Sequence, residues 1–226
     1  MTHVQPALAD LPRLTAGFTT RDFSPAEAGQ DAARARLAEA TGLPVASVGQ
    51  VHGADVATVR GPGHVPAHDG LVTDVPGLVL SVVAADCALV LLADPEAGVA
   101  GACHSGWRGT VAGVVGETVA AMRALGAEPG RVRAALGPCI SAQAFEVGEE
   151  VAAQFDASVV VRRPEWPRPH VDLRAELARQ LAAAGVASVE ASEACTVADN
   201  DRFFSYRAED GTPGRMLGFV GLRPMP

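Results

Sequence analysis

Three short stretches of this chain each bring a soft metal ligand to a turn or strand end: Gln50 to Gly53 (QVHG), Ala85 to Cys87 (ADC) and His104 to Gly109 (HSGWRG). The imidazoles of His52 and His104 and the thiolate of Cys87 make a three-ligand set suited to zinc. Such a set leaves a fourth position open for water or substrate, the arrangement of catalytic zinc. A cysteine and a histidine also have a metal-free use, with Cys87 as thiolate nucleophile, His104 as its base and His52 or Asp86 orienting the imidazole. Both readings stand on the residues alone. Neighbouring side chains on a strand point to opposite faces, so if His104 faces the site, Cys103 faces the core.

Other polar residues gather around these ligands. Arg108, between glycines at a helix start, offers an anion both a guanidinium and free amides, or else pairs with a surface carboxylate. Trp107 can stack on a planar base or simply pack. Asp86 could fix a ligand imidazole, act as a general acid toward a substrate ring nitrogen, or cap its strand end. Asp69 is read first as a turn residue and second as a substrate contact. Arg21, and Arg207 at the end of FFSYR, could line a cleft, with surface pairing the alternative. His64 and His68 are expected to be solvated, and His3 and His170 to lie in mobile segments.

The elements that must hold these residues follow from pattern. Leu14 to Thr20 reads as a strand, and Ser24-Pro25-Ala26-Glu27 as a capping box opening a helix to about Ala40. Strands are expected at Val45 to Val51 and Val56 to Val59, either side of the His52-Gly53 bend. After a Gly/Pro/His-rich loop, Gly61 to Ala67, and a turn at Asp69-Gly70, the apolar run Gly77 to Ala84 suits a buried strand. Leu89 to Leu92 and Val99 to His104 read as strands around an Asp94-Pro95-Glu96 turn, and Thr110 to Leu125 as one apolar helix. Further on come a strand at Arg131 to Leu136, a helix at Val147 to Phe155 and a short strand at Val159 to Val161. Asp172 caps a helix with Leu173, Leu177 and Leu181 on one face. Strands at Ser188 to Ala191, Phe203 to Tyr206 and Arg215 to Leu222 complete the chain, and Arg162 to His170 reads as a rigid proline-rich surface loop. Strands and helices do not alternate strictly, which favours a single α+β domain over residues 1–226 with mixed sheets.

Composition narrows the functions. With 226 residues, the chain is long enough for one core. Its net charge of -8 argues against nucleic acid, and no apolar run approaches the roughly 20 residues that span a bilayer. All 18 basic residues are arginine, which removes lysine Schiff-base chemistry. The cysteines 87, 103, 139 and 195 form no CxxC pair, so reduced thiols and a soluble, cytoplasmic, monomeric protein are expected.

The segments QVHGADV, HDGLVTDVPGLVLSVVAADC, GVAGACHSGWRGTVAGV, ALGPCI, FEVG and CT…RFFSYR…GRM together resemble the YfiH-type laccase-domain family, described variously as polyphenol oxidases, purine nucleoside phosphorylases and peptidoglycan editing factors. The chain departs from the family pattern in a shortened stretch between Arg21 and Gln50 and in His68 before Asp69-Gly70. The resemblance implies a four-layer α/β/β/α fold and metal ligands at His52, Cys87 and His104. It implies purine nucleosides and phosphate as partners, with phosphorolysis, adenosine deamination and methylthioadenosine cleavage as activities. Zinc is the implied ion and copper the alternative. Other readings are a copper polyphenol oxidase, a metal-free Cys-His amidase acting on peptidoglycan precursors, and a non-enzymatic nucleotide-binding module.

Overall fold

The computed structural model describes residues 4–23, 29–211 and 214–224. Strands β1 (Val4–Pro6) and β2 (Leu14–Thr19) precede helix α1 (Gly29–Thr41). Seven strands follow: β3 (Val45–Gly49), β4 (Val56–Thr58), β5 (Gly63–Pro66), β6 (Gly70–Thr73), β7 (Val79–Ala84), β8 (Ala88–Asp94) and β9 (Val99–Ser105). Helices α2 (Trp107–Ala112) and α3 (Val114–Ala124), strand β10 (Arg133–Leu136), the single turn α4 (Glu149–Ala152), strands β11 (Val160–Val161) and β12 (His170–Val171), helix α5 (Leu173–Ala183) and strands β13 (Ser188–Ala191) and β14 (Met216–Leu222) complete it. No helix among the described residues is long and apolar enough to cross a membrane.

Two six-stranded mixed sheets stack face to face. The first has the order β1-β2-β14-β7-β3-β5 and the second β13-β10-β8-β9-β6-β4. Alternation along β8 shows how the layers arise: Leu89 and Leu91 join the apolar cluster between the sheets, whereas Ala88, Val90 and Leu92 join one beneath α3 and α5. On the far side, Ala33 and Leu37 of α1 pack on Val79, Leu217 and Phe219 of the first sheet. The result is the single α+β domain, layered α/β/β/α, that the sequence led us to expect.

The topology also creates a rim. Strands β3, β5 and β7 run parallel, so their C-terminal ends lie together, and from each the chain crosses to the second sheet. The β8–β9 hairpin sets Ala88 opposite Ser105 at that same end. Its far end is closed by the fully buried Asp94, whose carboxylate accepts hydrogen bonds from the amides of Glu96, Ala97 and Glu128 and from Arg131.

Several elements differ from expectation. The single helix read over Thr110 to Leu125 is two, because Gly113 adopts a left-handed conformation (φ 83°) that ends α2 and starts α3. Gly70 opens β6 rather than a turn, and β5 runs through the loop read over Gly61 to Ala67. The helix read at Val147 to Phe155 shrinks to the single turn α4, and Phe203 to Tyr206 is not a strand, because the Phe203 amide donates to the Asp199 carbonyl (3.0 Å) and the Ser205 amide to the Glu209 carboxylate (3.0 Å) instead of to a neighbouring strand. His170 is held, not mobile, being buried with Nδ1 2.7 Å from the Ala142 carbonyl and its ring stacked on Trp166. The capping box at Ser24 to Glu27 and His3 lie outside the described residues.

Candidate metal centre

The rim delivers the three expected ligands from two crossings and one strand end. His52 sits in the bend after β3, Cys87 between β7 and β8, and His104 near the end of β9. Their donor atoms all lie within 4.8 Å of one another, and the two imidazole rings meet edge to face at 4.8 Å. His104 points the same way as Ala100 and Ala102, into the space between the sheets. Cys103 points into the helix-covered layer and is fully buried. Space for the cluster depends on Gly106, where a Cβ atom would stand 2.9 Å from Cys87 Sγ and 3.0 Å from His52 Cδ2. Two imidazole nitrogens and a thiolate, converging in a space kept open by a missing side chain, could bind a metal ion.

Asp69 organises both histidines. Its fully buried carboxylate accepts hydrogen bonds from three successive amides, Val51 (3.0 Å), His52 (3.0 Å) and Gly53 (2.7 Å), and from His104 Nδ1 (2.9 Å). The Asp69 carbonyl in turn accepts from the His104 amide at 2.8 Å. The first three bonds hold His52 at a positive φ of 63°, a conformation that costs a residue with a side chain about 1–3 kcal/mol. The fourth places the Nδ1 proton of His104 against Asp69, so Nε2 is the nitrogen left to face a ligand.

Charges in the cluster are coupled. Burial pushes the Cys87 thiol up, but hydrogen bonds and attraction from His104 and His52 outweigh it and bring its pKa from 9.0 to about 6. For His104, burial opposes the charge, yet Asp69 and then Cys87 raise its pKa from 6.5 to about 9. Together the shifts describe a thiolate beside an imidazolium. Burial also works against the Asp69 carboxylate, and the His104 and backbone hydrogen bonds hold its pKa below the ordinary value.

A cavity of about 730 Å³ opens onto the cluster, within the usual ~300–1,000 Å³ of ligand pockets. Asp86, Trp107, Arg108 and Arg207 all line it. The exposed guanidinium of Arg108 lies over the Trp107 ring at 4.2 Å, and no carboxylate among the described residues pairs with it. Because α2 is only six residues long, the side chain rather than the helix end supplies the positive charge. Arg207 is braced by the Ala144 and Glu146 carbonyls at 3.1 and 3.2 Å.

Asp69, not Asp86, fixes the ligand imidazole. Asp86 adopts a positive φ of 83° and uses one oxygen to accept from Thr196 Oγ1 (2.5 Å) and the other from the Arg207 amide (2.7 Å), so it ties the cavity wall together. Asp69 is fully buried behind His104 and does not line the cavity. Arg21 is also elsewhere: it pairs with Glu209 at 2.8 Å and lies over the Phe204 ring. His64 is exposed and outside the ligand cluster, as expected, and it also lines the cavity with Nδ1 3.0 Å from the buried Ser47 hydroxyl; Tyr206 and Arg215 line it as well. For His64, facing Ser47 in the β3–β5 register would have been the signal, but it was hidden in a loop-like sequence.

Comparison with known proteins shows the family and the fold. The family model described as multi-copper polyphenol oxidoreductase laccase matches residues 13–223. The protein named purine nucleoside phosphorylase ORF3, from Streptomyces griseus, is 47% identical, covering 84% of this chain and 80% of its own. The protein named adenosine deaminase RL5, from an unknown prokaryotic organism, is 39% identical over 68% of this chain and 61% of its own. The crystal structure of YlmD from Geobacillus stearothermophilus is similar with a TM-score of 0.86 at 30% identity, covering 98% of this chain and 99% of that one.

Proposed function

Because this chain belongs to the multi-copper polyphenol oxidoreductase laccase family and has a YlmD-like fold, we propose that it is a zinc-dependent purine nucleoside phosphorylase that also deaminates adenosine and cleaves methylthioadenosine. The observation that carries this reading is the meeting of His52, Cys87 and His104 at a cavity that also holds an aromatic ring and unpaired positive charge. The names of the two relatives point to the same chemistry.

His52, Cys87 and His104 would hold the zinc, which would supply Lewis acidity and, for deamination, activation of water. The protein's own part is positioning. Trp107, packed on the Ile140 and Phe145 cluster, supports the Arg108 guanidinium that lies over its ring, and Arg108 attracts phosphate toward the sugar. Arg207, braced by two carbonyls, meets an anion with little loss of side-chain freedom. Asp86 holds the Arg207 backbone and Thr196 in place and acts as a positioning residue. Copper-dependent phenol oxidation is disfavoured because only one three-ligand cluster occurs among the described residues, and one mononuclear centre is poorly suited to multi-electron oxidation.

Chromatography of adenosine, inosine and methylthioadenosine reactions, with and without phosphate, tests the proposal. Zinc-loaded protein should release free base only with phosphate and convert adenosine to inosine without it, and Cys87→Ala should do neither. Absence of both base and ammonia with the wild-type protein would overturn it. The thiolate–imidazolium pairing of Cys87 and His104 favours a second reading, a metal-free amidase acting on peptidoglycan precursors. Stoichiometric bound zinc that shields Cys87 from alkylation would reject that one.

A further inference from the structure

The described cysteines include a second pair, outside the metal centre, that the proposed reaction does not use. Cys139 follows β10 and Cys195 follows β13, the two strands that pair in parallel, and the residues themselves form an isolated parallel bridge. Bridge partners on neighbouring strands, about 4.7–4.9 Å apart, project to the same side, and a disulfide joins residues whose Cα atoms are about 4.4–6.8 Å apart. Both are free thiols.

Their surroundings favour reaction. The Ser141 amide donates to Cys195 Sγ at 3.4 Å. Burial raises the Cys195 pKa, but the Ser141 hydroxyl and the amides of Ala198, Ser141 and Val197 outweigh it and hold it below the ordinary value. Next to it, Arg174 places its guanidinium on the carbonyls of Cys139 (3.0 Å) and Ala194. Amide donors at the sulfur favour the thiolate form of Cys195, whereas the guanidinium acts on Cys139. Both thiols are buried, Cys195 nearly and Cys139 completely, and for Cys139 that burial raises the pKa to about 11. One thiol is thus suited to attack and the other to resolve. The pair also touches the cavity wall, since the Ile140 amide donates to the Asp86 carbonyl (2.9 Å) and Thr196 Oγ1 donates to its carboxylate.

We propose that Cys139 and Cys195 form a reversible thiol–disulfide switch that hydrogen peroxide closes and that acts on the cavity through Asp86. The Cys195 thiolate attacks a peroxide oxygen, breaking the O–O bond, expelling hydroxide and leaving a sulfenic acid. The Cys139 sulfur then attacks the Cys195 sulfur, and the sulfenic oxygen leaves with a proton as water. With the hydroxide taking up the remaining proton, two thiols and one peroxide give one disulfide and two waters. Closing the bond draws together the two segments that grip Asp86, the neighbour of Cys87.

The test uses zinc-loaded full-length protein treated with hydrogen peroxide, capped with N-ethylmaleimide and digested without reductant. The expected product is a linked pair of peptides carrying Cys139 and Cys195, two hydrogens lighter than the reduced pair and separated again by dithiothreitol. Cys139→Ser should instead leave a sulfenic acid on Cys195 that dimedone traps, and Cys103, fully buried with a pKa raised to about 12, should stay unmodified. Nucleoside turnover should fall at least threefold on closure and recover on reduction. No 139–195 link, or a link that leaves turnover unchanged, overturns the switch. The reading of the substrate is judged separately: if untreated protein turns over no purine nucleoside, that reading fails, while the peptide masses still decide the thiol pair.

Discussion

Asp69 and His104 share a buried hydrogen bond of 2.9 Å from the imidazole Nδ1 to the carboxylate, and the same carboxylate fixes the backbone that carries His52. One acidic side chain thereby aims two ligands that are 52 positions apart in sequence. Replacing it with Asp69→Asn turns one acceptor oxygen into an NH2 group that confronts amide or imidazole donors. We expect zinc affinity to fall by about 10–100-fold, as is typical when a ligand's supporting partner is lost. Competition with a chromophoric chelator measures this, and unchanged affinity would remove Asp69 from the centre.

Gly106→Ala should act by steric exclusion. Its backbone (φ -74°, ψ 172°) suits alanine, so the fold should be retained, while the new methyl meets Cys87 Sγ at 2.9 Å and His52 Cδ2 at 3.0 Å. Bound zinc and turnover should drop at least tenfold with little change in the melting temperature of the zinc-free protein, and full zinc occupancy would contradict the packing described.

The Cys87 thiol titrates below its ordinary value, near 6, so the thiolate dominates above that pH. In zinc-free protein, alkylation of Cys87 by iodoacetamide should rise through about pH 6 and level off by neutrality, and zinc should suppress it. A rate that instead climbs only above pH 8 would show that the imidazoles do not stabilise the thiolate. Peptide mass spectrometry separates Cys87 from the inert Cys103.

Sequence pattern exposed the ligands but not what aims them. His52, Cys87 and His104 stand at visible strand ends, strand alternation gave the opposite facing of Cys103 and His104, and the layer order came only from the family resemblance. Asp69 was read as a turn residue because its partner lies 35 residues away, and Asp-Gly is locally a turn signal. The bond between Thr196 and Asp86 spans 110 residues and leaves no local trace. The break at Gly113 was hidden because a glycine inside an apolar helical run is tolerable by propensity, and only its left-handed φ marks the boundary. Consecutive aromatics made Phe203 to Tyr206 look like a strand, although the Phe203 amide is taken by the Asp199 carbonyl and the Ser205 amide by the Glu209 carboxylate rather than by a neighbouring strand.

Asp94 gives a stability prediction at the opposite end of the sandwich. Burial disfavours its charge, but the Glu128 and Ala97 amides and Arg131 overcome that and lower its pKa in the fold. Its contribution is therefore complete above the unfolded carboxyl pKa of about 3.9 and is lost as pH falls through the lower folded value. Asp94→Asn should cost roughly 1–3 kcal/mol near neutral pH. Urea unfolding should also show a shallower loss of stability in the variant between pH 4 and pH 2, and an equal slope would refute the assignment.

The three ligands do not belong to one sheet. His52 leaves the first, His104 ends a strand of the second, and Cys87 sits on the link between them. An ion gripping all three is a clamp across the mouth of the sandwich, and its free concentration becomes a variable of folding: at a hundred times Kd it adds about 2.7 kcal/mol. Chelation would loosen this edge first, so amide exchange in residues 50–55 and 85–88 should report metal supply before any change in the opposite end.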